Sequence, residues 1–133
     1  MDPEAQRLNE LTERIIGAAI DVPRRLGPGL LESAYEACLS YALVTRGMSI
    51  ERQKSLPLEY EGVRLDCAYR MDLVVRRAVI VEVKSVERLE AVHDAQMISY
   101  LKVSGVKVGL IVNFNVKNLT PDGLRRKVNA FPA

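Results

Sequence analysis

The chain has two cysteines in 133 residues, Cys38 and Cys67, and they lie far apart, matching no metal-binding or redox spacing. Both are therefore expected to be reduced packing residues. There is no tryptophan and only one histidine. No apolar run approaches the roughly 20 residues of a membrane span, so no membrane partner is expected. The opening MDPEAQRLNE is polar and acidic where a secretory signal would be basic and then apolar, which points to a cytoplasmic protein. Net charge is also small, +2 at neutral pH, and does not by itself mark a nucleic-acid binder. Internal repeats and low-complexity segments are lacking, and nothing signals a second domain.

What is present suits one globular domain over residues 1–133, with 48% apolar residues to build its core. Leu8, Leu11, Ile15, Ala18 and Ala19 recur at helical spacing, predicting a helix from about Ala5 to Asp21 that ends before Pro23. A second helix is expected from about Leu30 to Thr45 and a third from about Leu89 to Ser104, stopped by Gly47 and Gly105. Ile50 to Tyr60 reads as an irregular or edge strand around Pro57. Glu61-Gly62 then turns the chain into Val63-Arg64-Leu65-Asp66, which leads on into the next strand. Lys107 to Phe114 is a nearly continuous apolar run, expected to be a buried parallel strand. For the tail, a short helix from Thr120 and an edge strand over Leu124 to Val128 are both open.

The informative stretch is Tyr69 to Lys84, YRMDLVVRRAVIVEVK. Alternation places Met71, Leu73 and Val75 on one face of a first strand and Val79, Val81 and Val83 on one face of a second. A two-residue Arg76-Arg77 turn would mix polar and apolar residues on both faces. A three-residue turn through Ala78 instead pairs Met71 with Val83, Leu73 with Val81 and Val75 with Val79. It also sets Asp72 opposite Glu82, with Cβ atoms roughly 5 Å apart. Two carboxylates that close repel each other unless one is protonated or a cation lies between them. Mg²⁺, a hard ion that takes oxygen ligands, suits such a pair.

Other polar groups gather around this hairpin. Glu32 shares a helical stripe with Tyr35, Leu39 and Leu43, so it either has a partner on the apolar side or answers only its own helix dipole. His93, Gln96 and Tyr100 fall on one side of the third helix. Gln96 and Tyr100 have the spacing of an ordinary hydrogen-bonded pair, and a single His93 has many structural uses. Arg24-Arg25, Arg76-Arg77 and Arg125-Arg126-Lys127 are basic clusters that could meet phosphates or simply be solvated.

Gly29-Leu30-Leu31-Glu32-Ser33-Ala34-Tyr35 resembles the Gly-x-x-Glu-x-x-Tyr motif of the GxxExxY family, a branch of the PD-(D/E)XK nuclease superfamily. The likeness runs from about Glu13 to Val128 and takes in Asp72, Glu82-Val83-Lys84, Gln96 to Leu101 and the Gly109 to Phe114 strand. Met71 stands where the superfamily name places proline. The resemblance implies an α/β fold with an αβββαβ core, a mixed central sheet flanked by helices. It implies Asp72 and Glu82 as ligands of Mg²⁺ or Mn²⁺, Lys84 as the residue that positions or activates the attacking water, and Glu32 as a further carboxylate near the metal. Gln96 and Tyr100 would flank the site and orient ligands or phosphate. The function implied is metal-dependent phosphodiester hydrolysis, with DNA as the nucleic-acid partner. The rival is a catalytically silent module of the same fold that binds nucleic acid or a protein. A domain this small would be expected to dimerise or join a partner to grip a duplex.

Overall fold

The computed structural model describes residues 2–66 and 69–132, so the expectation for Cys67 lies outside the described residues. Helix α1 (Pro3–Leu26) opens on Asp2, whose carboxylate accepts from the Glu4 and Ala5 amides at 2.8 and 3.1 Å. That satisfies two of the donors a helix start leaves unpaired. The helix runs through Pro23, where the sequence pattern would have ended it. An interior proline costs about 3 kcal/mol, but Val22 and Pro23 are both buried and the Pro23 carbonyl still accepts the Gly27 amide at 2.8 Å. Helix α2 (Glu32–Thr45) begins two residues later than expected and buries Tyr35, Leu39 and Leu43 completely.

The irregular strand expected around Pro57 is two strands. The chain forms β1 (Ile50–Ser55), then β2 (Leu58–Tyr60) and β3 (Val63–Leu65), which pair only with each other. β3 therefore does not run on into the Asp72 strand. That strand is β4 (Arg70–Val75), followed by β5 (Val79–Lys84), α3 (Ala91–Ser104), β6 (Val108–Asn113) and β7 (Leu124–Val128). The tail thus takes the edge-strand option, antiparallel to β6.

The main sheet has the order β1-β4-β5-β6-β7, antiparallel except for the parallel β5–β6 pair, which α3 connects. Among the described residues the core arrangement is α, three strands, α, strand, with the β2–β3 hairpin inserted and β7 appended. α1 and α2 cover one sheet face, where Leu73, Val75, Val81, Val83, Leu110 and Val112 meet Ile15, Tyr35 and Leu39. α3 covers the other, where Val74, Ile80 and Ile111 meet Met97, Tyr100 and Leu101. Gly109 permits that second contact, because a Cβ there would collide with the Met97 sulfur. Among the described residues, no helix is long and apolar enough to cross a membrane.

Candidate metal centre

The β4–β5 turn explains the register. Arg76 and Arg77 both take left-handed conformations, φ 51 and 56°, and Ala78 N donates to Val75 O at 2.9 Å, as in a type I′ turn. Ala78 is then the extra residue, so Val75 pairs with Val79 and Leu73 with Val81. The three-residue connection read from the sequence is therefore present.

The ladder stops at Leu73–Val81. One position further, side chains replace the missing backbone pairing: Asp72 N donates to Glu82 Oε1 at 3.1 Å, and Val83 N donates to Asp72 Oδ2 at 2.8 Å. The two carboxylates are inserted between strands that part at this row. Here strict alternation fails. Met71 packs with Val74 and Ile80 under α3, not with Leu73 and Val75 on the opposite face. The expected coherent face of Met71, Leu73 and Val75 is thus broken at Asp72, the row where the β4–β5 ladder has ended and the β1–β4 ladder skips a pair.

Glu82 is only 4% exposed. Burial first, and then the Asp72 carboxylate beside it, push its pKa from 4.5 up to about 9, while Lys84 pulls in the opposite direction. Glu82 therefore holds a proton at neutral pH. That proton answers, in this structure, the repulsion that the sequence posed. The donor set, two carboxylates with oxygen lone pairs to spare, also fits a hard divalent cation in the proton's place.

Lys84 follows on the Glu82 side of β5. It is half-buried, its carbonyl accepts from Phe114 N at 2.9 Å, and its side chain makes no hydrogen bond or ion pair with any described residue, acting on Glu82 through its charge. Tyr100 is buried on α3 and accepts from Gln96 Nε2 at 3.0 Å, the i, i+4 pair expected. Burial, then Glu82, Asp72 and Tyr69, raise the Tyr100 phenol to about 12, so it stays neutral. Tyr69 meets its ring edge-on at 5.9 Å. His93 does not join this group: its Nδ1 accepts from the Glu90 amide at 2.9 Å and caps α3.

Glu32 reaches the C-terminal end of β5. Its Oε2 accepts from the Ser85 amide at 3.0 Å, just beyond Lys84, and the side chain is exposed. Among the described residues no three His, Cys, Asp or Glu side chains converge to hold an ion, so Glu32 is not a third member of the Asp72–Glu82 pair in this arrangement. Its motif partners do related work. Gly29 N donates to Asn115 Oδ1 at 3.0 Å, and Tyr35 Oη donates to Gly27 O at 2.6 Å while accepting from Leu30 N at 3.2 Å. Ser85 Oγ donates to Leu30 O at 2.8 Å. The α1–α2 loop is thereby fastened to the C-terminal end of β5, and Asn113, buried at the end of β6, exchanges two hydrogen bonds with Val86.

The buried carboxylate of α2 is Glu36, one turn after Glu32, and the sequence reading missed it. It is 7% exposed and accepts from Arg52 Nε and Nη2 at 3.2 and 3.0 Å. Gln53 Nε2 donates both to Glu36 Oε1 at 2.6 Å and to Asp72 Oδ1 at 3.2 Å. Nothing in the local pattern of β1 announces this link, which depends on Gln53 having φ 50° inside a strand. A left-handed non-glycine residue costs roughly 1–2 kcal/mol.

Of the basic clusters, Arg125 and Lys127 are paired with Asp94 at 2.7 and 3.4 Å, and Arg126 bonds Asn9 and covers the Phe131 ring. These three are engaged within the fold rather than held out for phosphates. Arg24, Arg25, Arg76 and Arg77 are exposed. A groove of about 450 Å³ is lined by Leu56, Tyr69, Val92, Gln96 and Tyr100 but not by Asp72 or Glu82, whereas a cavity of about 470 Å³ between α1 and α2 includes none of the site residues.

Neither a curated protein nor a solved structure matches the chain. A family model of the PD-(D/E)XK nuclease superfamily matches residues 9–127, a span that contains the Asp72–Glu82 pair, Lys84 and all three helix-to-sheet contacts described above. With the mixed five-stranded sheet flanked by helices, that match establishes that this chain belongs to the PD-(D/E)XK nuclease superfamily.

Proposed function

We propose that this protein is a divalent-metal-dependent nuclease that hydrolyses phosphodiester bonds in DNA, with Asp72 and Glu82 as the metal ligands and Lys84 as the catalytic cation. The observation that carries this reading is the reciprocal insertion of the two carboxylates between β4 and β5. A row of backbone pairing is given up there, and a carboxyl group is buried in a protonated state. Folding alone gains little from either. A bound Mg²⁺ or Mn²⁺ supplies charge stabilisation to the phosphate and lowers the pKa of a water.

The chain's own residues have distinct tasks. Asp72 is fixed through one oxygen by Val83 N and through the other by Gln53, which leaves lone pairs on both oxygens for the ion. Glu82 would hold the ion as a carboxylate, having given up its proton. Lys84, whose side chain is in no hydrogen bond or ion pair among the described residues, offers its charge to the scissile phosphate or the attacking water. Tyr100 stays neutral as a donor beside the pair, held by Gln96. Glu32 supports the strand end that carries Lys84, and a place nearer the metal would require it to leave Ser85. The narrower likeness to the GxxExxY branch rests on Gly29, Glu32 and Tyr35, which fasten the same loop.

Single-turnover cleavage of labelled single-stranded, double-stranded and branched DNA, with RNA alongside and each of Mg²⁺ and Mn²⁺, tests the reading. Metal-dependent cleavage of DNA that is lost in Asp72→Ala is expected. Cleavage of RNA alone would reassign the substrate. Mn²⁺ binding without cleavage of any substrate would favour the binding module.

A further inference from the structure

Gln53 stands in the row where the sheet breaks. Its neighbours Arg52 and Lys54 pair with Leu73 and Met71 in an unbroken register, so Gln53 lies opposite Asp72 although it is absent from the ladder. Asp72 in turn lies opposite Glu82, where the β4–β5 pairing has ended. The ladder is thus interrupted on both sides of Asp72 in a single row. On the β1 side, the interruption is a left-handed residue, φ 50°, within an edge strand. Glutamine has no steric licence for that conformation, and unlike Glu61, Arg76 and Arg77 it is not in a turn. What the conformation achieves is specific: one amide nitrogen spans Glu36 Oε1 and Asp72 Oδ1. Both partners are acceptors, so only the NH₂ end of the amide can face them. The other end of the bridge is fixed as well, because the buried Glu36 receives the Arg52 guanidinium fork.

We infer that Gln53 is a positioning residue for the metal centre: it fixes the orientation of the Asp72 carboxylate and ties it, through Glu36, to helix α2. The inference rests on the metal-site reading above and extends it to residues outside the Asp, Glu and Lys set. Outer partners of this kind typically govern metal affinity or activity by about 10- to 100-fold.

Two variants separate positioning from folding. Gln53→Gly removes the bridge but suits the left-handed backbone, and Gln53→Met removes only the amide while keeping most of the side chain. Mn²⁺ binding is measured by calorimetry on the metal-free parent and both variants, beside a melting curve for each. The expected result is an Mn²⁺ dissociation constant weakened by about tenfold or more in both variants, with Gln53→Gly melting no lower than the parent and Gln53→Met melting below Gln53→Gly. In cleavage assays, kcat would fall with KM for DNA little changed. Parent-like Mn²⁺ affinity in either variant would overturn the role of Gln53 and leave the metal site standing, as would a melting loss in Gln53→Gly without an affinity loss. No Mn²⁺ binding by the parent would overturn both.

Discussion

Asp72 and Glu82 are joined by a reciprocal pair of backbone-to-carboxyl hydrogen bonds: the amide of Asp72 donates to Glu82 Oε1, and the amide following Glu82 donates to Asp72 Oδ2. Each carboxylate thus takes the place of a carbonyl that the ladder would have supplied. One consequence is that a neutral amide can imitate the protonated acid. Glu82→Gln should accept the Asp72 amide through its oxygen and donate to the Asp72 carboxylate through its nitrogen. In chelator it is expected to melt above the parent at pH 8, and its melting temperature should not respond to Mn²⁺. A lower melting temperature than the parent at that pH would contradict the protonated-pair description.

The pH dependence of stability follows from the same group. Glu82 titrates near 9 in the folded protein against 4.5 when unperturbed, so between those values the native state holds a proton that the unfolded chain has released. Stability contributed by this group is complete below about 4.5 and is lost as pH rises through 9, by at most about 1.4 kcal/mol per pH unit. Denaturant melts of the metal-free protein between pH 6 and 9 should show that falling slope, and Glu82→Gln should flatten it. Conversely, apparent Mn²⁺ affinity should climb with pH over this range, because the ion must displace the proton.

The sequence carried the register of the central hairpin because Val75, Val79, Leu73 and Val81 leave only one pairing with a clean apolar face. It also carried the parallel β6 strand and the Gln96–Tyr100 pair, whose signals are local. The turn of Met71 onto the other face was not legible, since it follows from strands parting at Asp72, a tertiary event. Glu36 and Gln53 were hidden for a similar reason: their importance lies in contacts across 17 and 19 positions of sequence. Glu32 was singled out by its stripe, yet the stripe gives only a direction around the helix, and at the first turn that direction ends on the Ser85 amide. Pro23 misled because burial outweighed its local cost.

Lys84 should separate binding from chemistry. Its side chain makes no hydrogen bond or ion pair among the described residues, so Lys84→Ala leaves no hydrogen-bonding group unpaired and is expected to fold with a parent-like melting temperature. Mn²⁺ binding should persist, since the carboxylates are intact. Single-turnover cleavage should drop by about 10²–10³-fold, the scale of one deleted transition-state contact. Equal losses of metal affinity and cleavage would show instead that Lys84 acts on the carboxylates.

Asp72→Ala and Glu82→Ala should each abolish metal-dependent cleavage, and the double substitution should be no worse than either single one, as for groups that act as a unit. Each variant gives up only the hydrogen bonds that its carboxyl group makes where the ladder ends and, for Asp72, the contact with Gln53, so neither should lose the fold. Additive losses, each partial, would mean that the two residues serve separate steps.

Glu32 provides the sharpest contrast between a ligand and a brace. Its carboxylate is committed to the Ser85 amide, and a charge-assisted hydrogen bond of this kind is worth about 1.5–3 kcal/mol, less here because the group is exposed. As a brace, Glu32→Gln should keep most function, for its amide oxygen can still accept from Ser85, while Glu32→Ala frees the segment that leads from Lys84 into the Val86 loop. Calorimetry should then find Mn²⁺ affinity within a few-fold of the parent in both variants, with cleavage reduced in Glu32→Ala and largely retained in Glu32→Gln. Tyr35→Phe, which removes the hydroxyl that holds Gly27 and Leu30, should resemble Glu32→Ala in kind, because it loosens the same loop from its other end. A metal ligand would behave otherwise: Glu32→Gln and Glu32→Ala would both weaken Mn²⁺ binding, and Tyr35→Phe would leave it alone.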